Sequence, residues 1–135
     1  MTHELLVHRA DAAAALGAPF TVEPDLAADA ITEFVELLPD RMRHNPAAPV
    51  QELAGAGELL HLSATDAAGD WLLIRTPEGL IRTHEQPAQA PDVTVRGTAA
   101  DLALVLYGRR SPAEAGLVVT GDAELFEFVR EAAKF

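Results

Sequence analysis

The chain has no cysteine in its 135 residues. That excludes disulfides, thiolate metal sites and any mechanism in which the protein itself supplies a nucleophilic thiol. Sulfur chemistry would require a small-molecule thiol. Aromatic residues are scarce, at 5% of the sequence, so the core is expected to consist of Leu, Val, Ala and Phe rather than large rings. No run approaches the ~18 continuous apolar residues of a membrane span. Met1 is followed by polar Thr2 and His3 rather than by the basic and apolar regions of a secretory signal. A cytoplasmic location without membrane association is expected. Basic residues are also few: 10 against 21 acidic ones give a formal net charge of -11. Such a charge repels phosphate backbones and anionic lipid surfaces and argues against nucleic-acid binding. The sequence lacks a Gly-rich phosphate loop, a nucleophile elbow around Ser63 or Ser111, and a Ser, His, Asp order that would suggest a triad. An independent enzyme is therefore the weaker class.

What is present fits one soluble domain with a single core. Alanines and leucines from Thr2 to Leu16 predict a helix that Gly17 terminates. Pro24 suits the first turn of a second helix, where Leu26, Ala30, Ile31, Phe34, Val35 and Leu38 form one apolar stripe. From His44 to Gly57, Pro46, Pro49, Gly55 and Gly57 predict a loop. The period then changes. Leu60, Leu62 and Ala64 alternate with His61 and Ser63 as a strand, Asp66 to Asp70 turns, and Trp71 to Arg75 returns. Leu80 to His84 and Val93 to Arg96 follow as strands. Thr98 and Asp101 form an acidic variant of the capping box before a helix that ends at Gly108. A short strand, Leu117 to Val119, precedes a closing helix with Leu125, Phe126, Val129 and Ala133 inward. The order predicts an α+β fold of about five mostly antiparallel strands with helices packed on the sheet, plus an N-terminal helix.

Few residues carry recognisable chemistry. Glu4 and His8 stand four apart and share a helix face. That is half of a metal site, since a catalytic zinc takes about three protein ligands and an open position. Taken alone, such a pair is more often solvated. Arg41, Arg43 and His44 follow a predicted helix and are expected to offset its dipole, whereas the pair Arg109-Arg110 after the third helix is open between that role and an anion clamp. His61 falls on the strand face opposite Leu60 and Leu62, toward solvent, and His84 near a strand end reads as structural. Asp66 and Asp70 suit turn geometry, and Trp71 reads as core or edge packing.

Four stretches are more specific: Trp71 to Arg75 (WLLIR), Asp92 to Thr98 (DVTVRGT), Asp101 to Arg110 (DLALVLYGRR) and Val119 to Leu125 (VTGDAEL). Together they resemble the C-terminal domain of the mycothiol-dependent maleylpyruvate isomerase family, which has a sterol-carrier-like fold. Glu4 to Asp11 (ELLVHRAD) is similar to the end of that family's N-terminal DinB-like helical bundle. The resemblance implies a boundary between a terminal helix at 1–17 and a sterol-carrier-like domain at 18–135. It implies Glu4 and His8 as two zinc ligands, the remaining histidine coming from an earlier bundle helix. It also implies an arginine from this domain at the interdomain site, with Arg109 or Arg110 as candidates and Arg82 as a rival. Such an arginine would clamp a carboxylate substrate or an enolate through bidentate hydrogen bonds.

The function expected is that of a non-catalytic accessory domain, contributing substrate or interface contacts beside a zinc-bearing bundle. Zinc and mycothiol belong to the family, and no cofactor is expected for this chain alone. The partners expected are a helical bundle or a second copy. A Glu4 and His8 pair from each of two copies could rebuild a four-ligand site. The alternative is a sterol-carrier-like binder of a lipid or other small hydrophobic ligand, with Leu102, Leu106, Phe126 and Val129 lining a tunnel.

Overall fold

The structure is a computed structural model that describes residues 2–18, 20–47, 49–85 and 87–134, excluding the side chains of Thr2 and His3. In order, the elements are α1 (Thr2–Leu16), α2 (Pro24–His44), a short 3-10 helix (Pro49–Leu53), β1 (Leu59–Ala64), β2 (Asp70–Thr76) and β3 (Gly79–Thr83). β4 (Val93–Gly97), α3 (Ala99–Leu106), β5 (Val118–Gly121) and α4 (Ala123–Ala132) complete the chain.

Local chemistry explains most of the boundaries. α1 stops where Gly17 takes φ 65, the left-handed conformation that glycine enters without a Cβ penalty. There the Ala18 amide donates to the Ala13 carbonyl at 2.9 Å and the Gly17 amide to Ala14 at 3.2 Å. α2 begins at Pro24 and buries Ala27, Ala30, Ile31, Phe34, Val35 and Leu38, with Leu26 only half-buried. Each of the larger side chains in that stripe contributes roughly 1.5–3 kcal/mol of burial. The helix runs through Pro39, so Arg41, Arg43 and His44 form its last turn rather than following it. Side chains hold that turn: Asn45 Nδ2 donates to the Arg41 carbonyl at 2.7 Å and Gln51 Nε2 to Met42 at 2.6 Å. Thr98 and Asp122 cap α3 and α4 by accepting from the Asp101 and Leu125 amides, each at 3.1 Å.

The strands form one sheet in the order β3-β2-β1-β4-β5. All neighbours are antiparallel except β1 and β4, which run parallel with Leu60 beside Val93 and Leu62 beside Val95. Leu60, Leu62, Trp71, Leu73, Leu80, Val93 and Val95 are buried on the face covered by the helices. Because side chains alternate across a strand, His61, Leu72 and Thr83 lie in one row on the opposite face. The connection from β3 to β4 returns across that outer face, where Pro87 and Gln89 share hollows with Leu59, Leu72 and Ile74. Among the described residues, no helix is long and apolar enough to cross a membrane.

Candidate functional site

Glu4 and His8 are both exposed on α1. The opposite side of that helix is seated: Leu6 is fully buried and Ala10 nearly so, against α2. Among the described residues, no group of three or more His, Cys, Asp or Glu side chains is placed to hold a metal. Two donors on one helix face do not satisfy a zinc ion, so this chain's own described residues do not fit that metal. On the same outward side stand Leu5, 54% exposed, and Leu16, 82% exposed.

The three candidate arginines have different surroundings. Arg109 grips Asp11 of α1 with two bonds, Nε to Oδ1 at 2.9 Å and Nη2 to Oδ2 at 3.2 Å, while Nη1 donates to the Tyr107 carbonyl at 2.8 Å. That hydrogen-bonded pair pulls the Asp11 carboxyl below its ordinary range and pushes the Arg109 guanidinium up. Arg109 is thereby occupied in tying α1 to the end of α3. Arg110 reaches Asp101 at 3.5 Å, a loose pair at the surface. Arg82 differs from both: its Nη2 donates to the Asp70 carbonyl at 3.2 Å, while its buried Nε has no hydrogen-bond partner among the described residues. Leaving a buried donor unsatisfied costs about 1–3 kcal/mol, more for a charged group.

A polar hollow of about 530 Å³ lies on the sheet's outer face, and Arg82 is at its margin, although its register opposite Leu73 sets its side chain on the helix-covered face. Leu72 and Thr83 form part of the hollow's lining, with His61, Asp70 and His84 around them and Glu85, Pro87, Gln89 and Pro91 from the crossing loop. Its size falls in the range of small-molecule sites. His61 points to the expected face but is not simply solvated: Nε2 meets Asp70 Oδ1 at 2.7 Å. Both residues are named by the sequence, one as solvent-facing and one as a turn residue. Their pairing follows from the β1–β2 register, which sets Ser63 opposite Asp70 and Leu62 opposite Trp71. Trp71 is 1% exposed and donates from Nε1 to Thr32 Oγ1 at 3.0 Å.

The apolar seam between sheet and helices is nearly closed. Leu106, Phe126 and Val129 do line it, together with Phe34, Leu60 and Leu62, but Leu102 does not, and its volume is about 10 Å³. That is about one water, far from the ≈ 300 Å³ or more of a ligand pocket. Other charged residues that the sequence leaves as helix-end or turn residues have structural work. Arg41 donates to the carbonyls of Ala133 at 2.6 Å and Lys134 at 2.8 Å, so it caps the end of α4 rather than its own helix. Arg43 pairs with Asp40. Asp66 is more than a turn residue, since its Oδ1 accepts from the Ala99 amide at 2.9 Å at the start of α3.

Residues 25–128 match the family described as the MDMPI C-terminal domain. The chain belongs to the MDMPI C-terminal domain family. Among solved structures, the family fold seen here resembles the UbiJ-SCP2 ubiquinone synthesis protein, with TM-score 0.59 and 21% identity over 76% of this chain and 90% of that one. It also resembles part of the stereoselective inverting sec-alkylsulfatase Pisa1 from Pseudomonas sp., with TM-score 0.54 and 21% identity over 80% of this chain and 16% of the enzyme. At such identities the likeness shows the fold alone, and that fold is sterol-carrier-like. No curated protein matches the sequence. Within the MDMPI C-terminal domain family, the chain is a sterol-carrier-like accessory domain, and α1 lies outside the matched residues.

Proposed function

We propose that this protein is a non-catalytic accessory domain that works beside a zinc-bearing helical bundle of the same family, docking through α1 and supplying Arg82 as its anion contact. The observation that carries the reading is the two-sidedness of α1. Leu6 and Ala10 are buried in the domain core, while Leu5 and Leu16 are left 54% and 82% exposed on the face that also bears Glu4 and His8. Exposed large apolar side chains on one helix face suit burial against another helix. Arg82 is preferred over Arg109 and Arg110 because its buried Nε has no hydrogen-bond partner among the described residues, whereas Arg109 is committed to Asp11. A carboxylate supplies the acceptor that such a donor lacks.

Sedimentation of this protein with a family member's isolated helical bundle tests the docking. The wild type is expected to co-sediment, and the double variant Leu5→Glu/Leu16→Glu to fail while keeping its own circular dichroism and unfolding midpoint. Turnover of maleylpyruvate by this chain alone, supplied with zinc and mycothiol, would overturn the accessory reading. In native mass spectra, one zinc per dimer that is lost in His8→Ala would instead establish a site shared between two copies.

A further inference from the structure

The two edges of the sheet differ. At β3, Met42 of α2 lies against Gly79 and Arg82 adds a charge, features that blunt an edge against further pairing. β5 has neither: Val118, Thr120 and Gly121 are exposed, and the strand (VVTG) holds no charge and no proline. Its free backbone groups follow from its inner pairing. The Asp122 amide donates to the carbonyl of Asp92 at 2.8 Å, in line with the β4–β5 register. Such bonds alternate along an antiparallel pair, so Thr120 and Val118 also bond toward β4, while Val119 and Gly121 turn their amides and carbonyls outward. An unpaired row of this kind is a template for another strand.

Charge selects that strand. At the start of β5, Arg96 stands beside Val118 on the outer face, exposed and without an ion pair among the described residues. Just past the end of β5 come Asp122 and Glu124, both exposed. The edge is therefore basic at one end, neutral along the seam and acidic at the other. A two-fold antiparallel pair sets the start of one strand beside the end of the other, so Arg96 of each copy approaches Asp122 and Glu124 of the partner subunit. A parallel pair would set like charges together. The neutral seam matters in a chain of net charge -11, where like charge otherwise opposes self-association.

We infer that two copies of this protein associate edge to edge through β5. Thr120 lies opposite Thr120 of the partner subunit at the two-fold axis, Val119 exchanges backbone bonds with Gly121 of the partner subunit, and the two sheets become one. The contact uses no residue of α1, so it stands apart from the docking proposed above.

The test is sedimentation velocity of the intact protein from about 10 μM to about 1 mM, the range of a small interface, with NMR hydrogen exchange of the β5 amides at both limits. The wild type is expected to shift from monomer to dimer. At the upper limit the Val119 and Gly121 amides should exchange several-fold more slowly, while Thr120, bonded to β4, should not change. Thr120→Lys sets two ammonium groups together at the axis and should abolish the dimer with the urea midpoint unchanged. Arg96→Glu should weaken it, and Arg96→Glu/Glu124→Arg should restore it. Leu5→Glu/Leu16→Glu should leave it in place. A wild type that is monomeric at every concentration, or a dimer that survives Thr120→Lys without protection of Val119 and Gly121, would overturn the inference. A dimer lost in Leu5→Glu/Leu16→Glu but kept in Thr120→Lys would overturn it in favour of α1.

Discussion

Replacing Arg75 tests how this fold holds its longest irregular connection. The residue sits on β2, and its side chain is only 11% exposed. Its guanidinium donates to three carbonyls at the end of the 3-10 helix: Leu53 at 3.2 Å, Glu52 at 2.9 Å and Ala54 at 2.8 Å. It also pairs with Glu58 at 2.7 Å and lies 5.0 Å from the centre of the Phe128 ring on α4. At about 1 kcal/mol net per carbonyl bond, the three contribute about 3 kcal/mol. The Glu58 pair, partly exposed on the carboxylate side, adds about 0.5 kcal/mol. Stacking on Phe128 adds a similar amount. Such terms are not additive, so Arg75→Met, which retains the apolar stem, is expected to lose about 3 kcal/mol. Arg75→Lys keeps the charge but not the planar fork and is expected to recover less than half of that. Urea unfolding with an unchanged m-value is the assay; in a thermal scan the Met variant should melt about 10 °C lower. Gly55→Ala approaches the same group from outside, because a Cβ there would stand 2.7 Å from Arg75 Nε. An Arg75→Met variant within about 1 kcal/mol of wild type, or full rescue by Lys, would refute this account of the hub.

Gly121 has φ 96, and a Cβ on it would meet the Asp92 carbonyl oxygen across the β4–β5 pair. Gly121→Ala is expected to cost about 1–3 kcal/mol in the same urea assay, and an unchanged midpoint would contradict it. The protein should also lose stability in acid. Arg109 holds Asp11 below its ordinary 3.8, while the Glu58 and Ala56 amides, with Arg75, hold Glu58 below 4.5. A carboxylate depressed in the folded state stabilises it above the unfolded value and stops doing so as pH falls through the folded one. Unfolding free energy should therefore decline from 4.5 downward, and Glu58→Gln should make that decline shallower; a rise toward acid pH would contradict the assignment.

Elements governed by neighbours in sequence are the ones the sequence reveals. The stop at Gly17, the start at Pro24, the Thr98 cap and the hairpin around Asp66 to Asp70 each depend on a few adjacent residues. The 3-10 helix at Pro49–Leu53 escapes such reading because it is held by non-local bonds, from Gln51 to the Met42 carbonyl at the end of α2 and from Arg75 of β2 to the Glu52 carbonyl. The passage of α2 through Pro39 is likewise supported by Asn45 and Gln51 beyond the helix. Arg41 bonds a carbonyl 92 residues away, and Asp66 an amide 33 residues away; neither separation leaves a periodic trace. The candidate site divides the same way. His61 is placed on its correct face by alternation, yet its bond to Asp70 requires strand register. Arg82 and Arg109 are equivalent as letters, and only their partners distinguish them.

The clamp between Arg41 and the carbonyls of Ala133 and Lys134 has a consequence for the order of events during synthesis. α2 emerges early, but Phe34, Val35 and Leu38 on its inner face meet Phe126 and Val129 of α4, and Ala133 just past its end, along the seam. At about 5–20 residues per second, the 92 residues separating Arg41 from Ala133 take roughly 5–20 s to appear. For that interval α2 and the first hairpin lack the contacts from α4 that close their apolar faces. The nascent chain is thus most vulnerable to aggregation and proteolysis after β1 to β3 are made and before α4 docks.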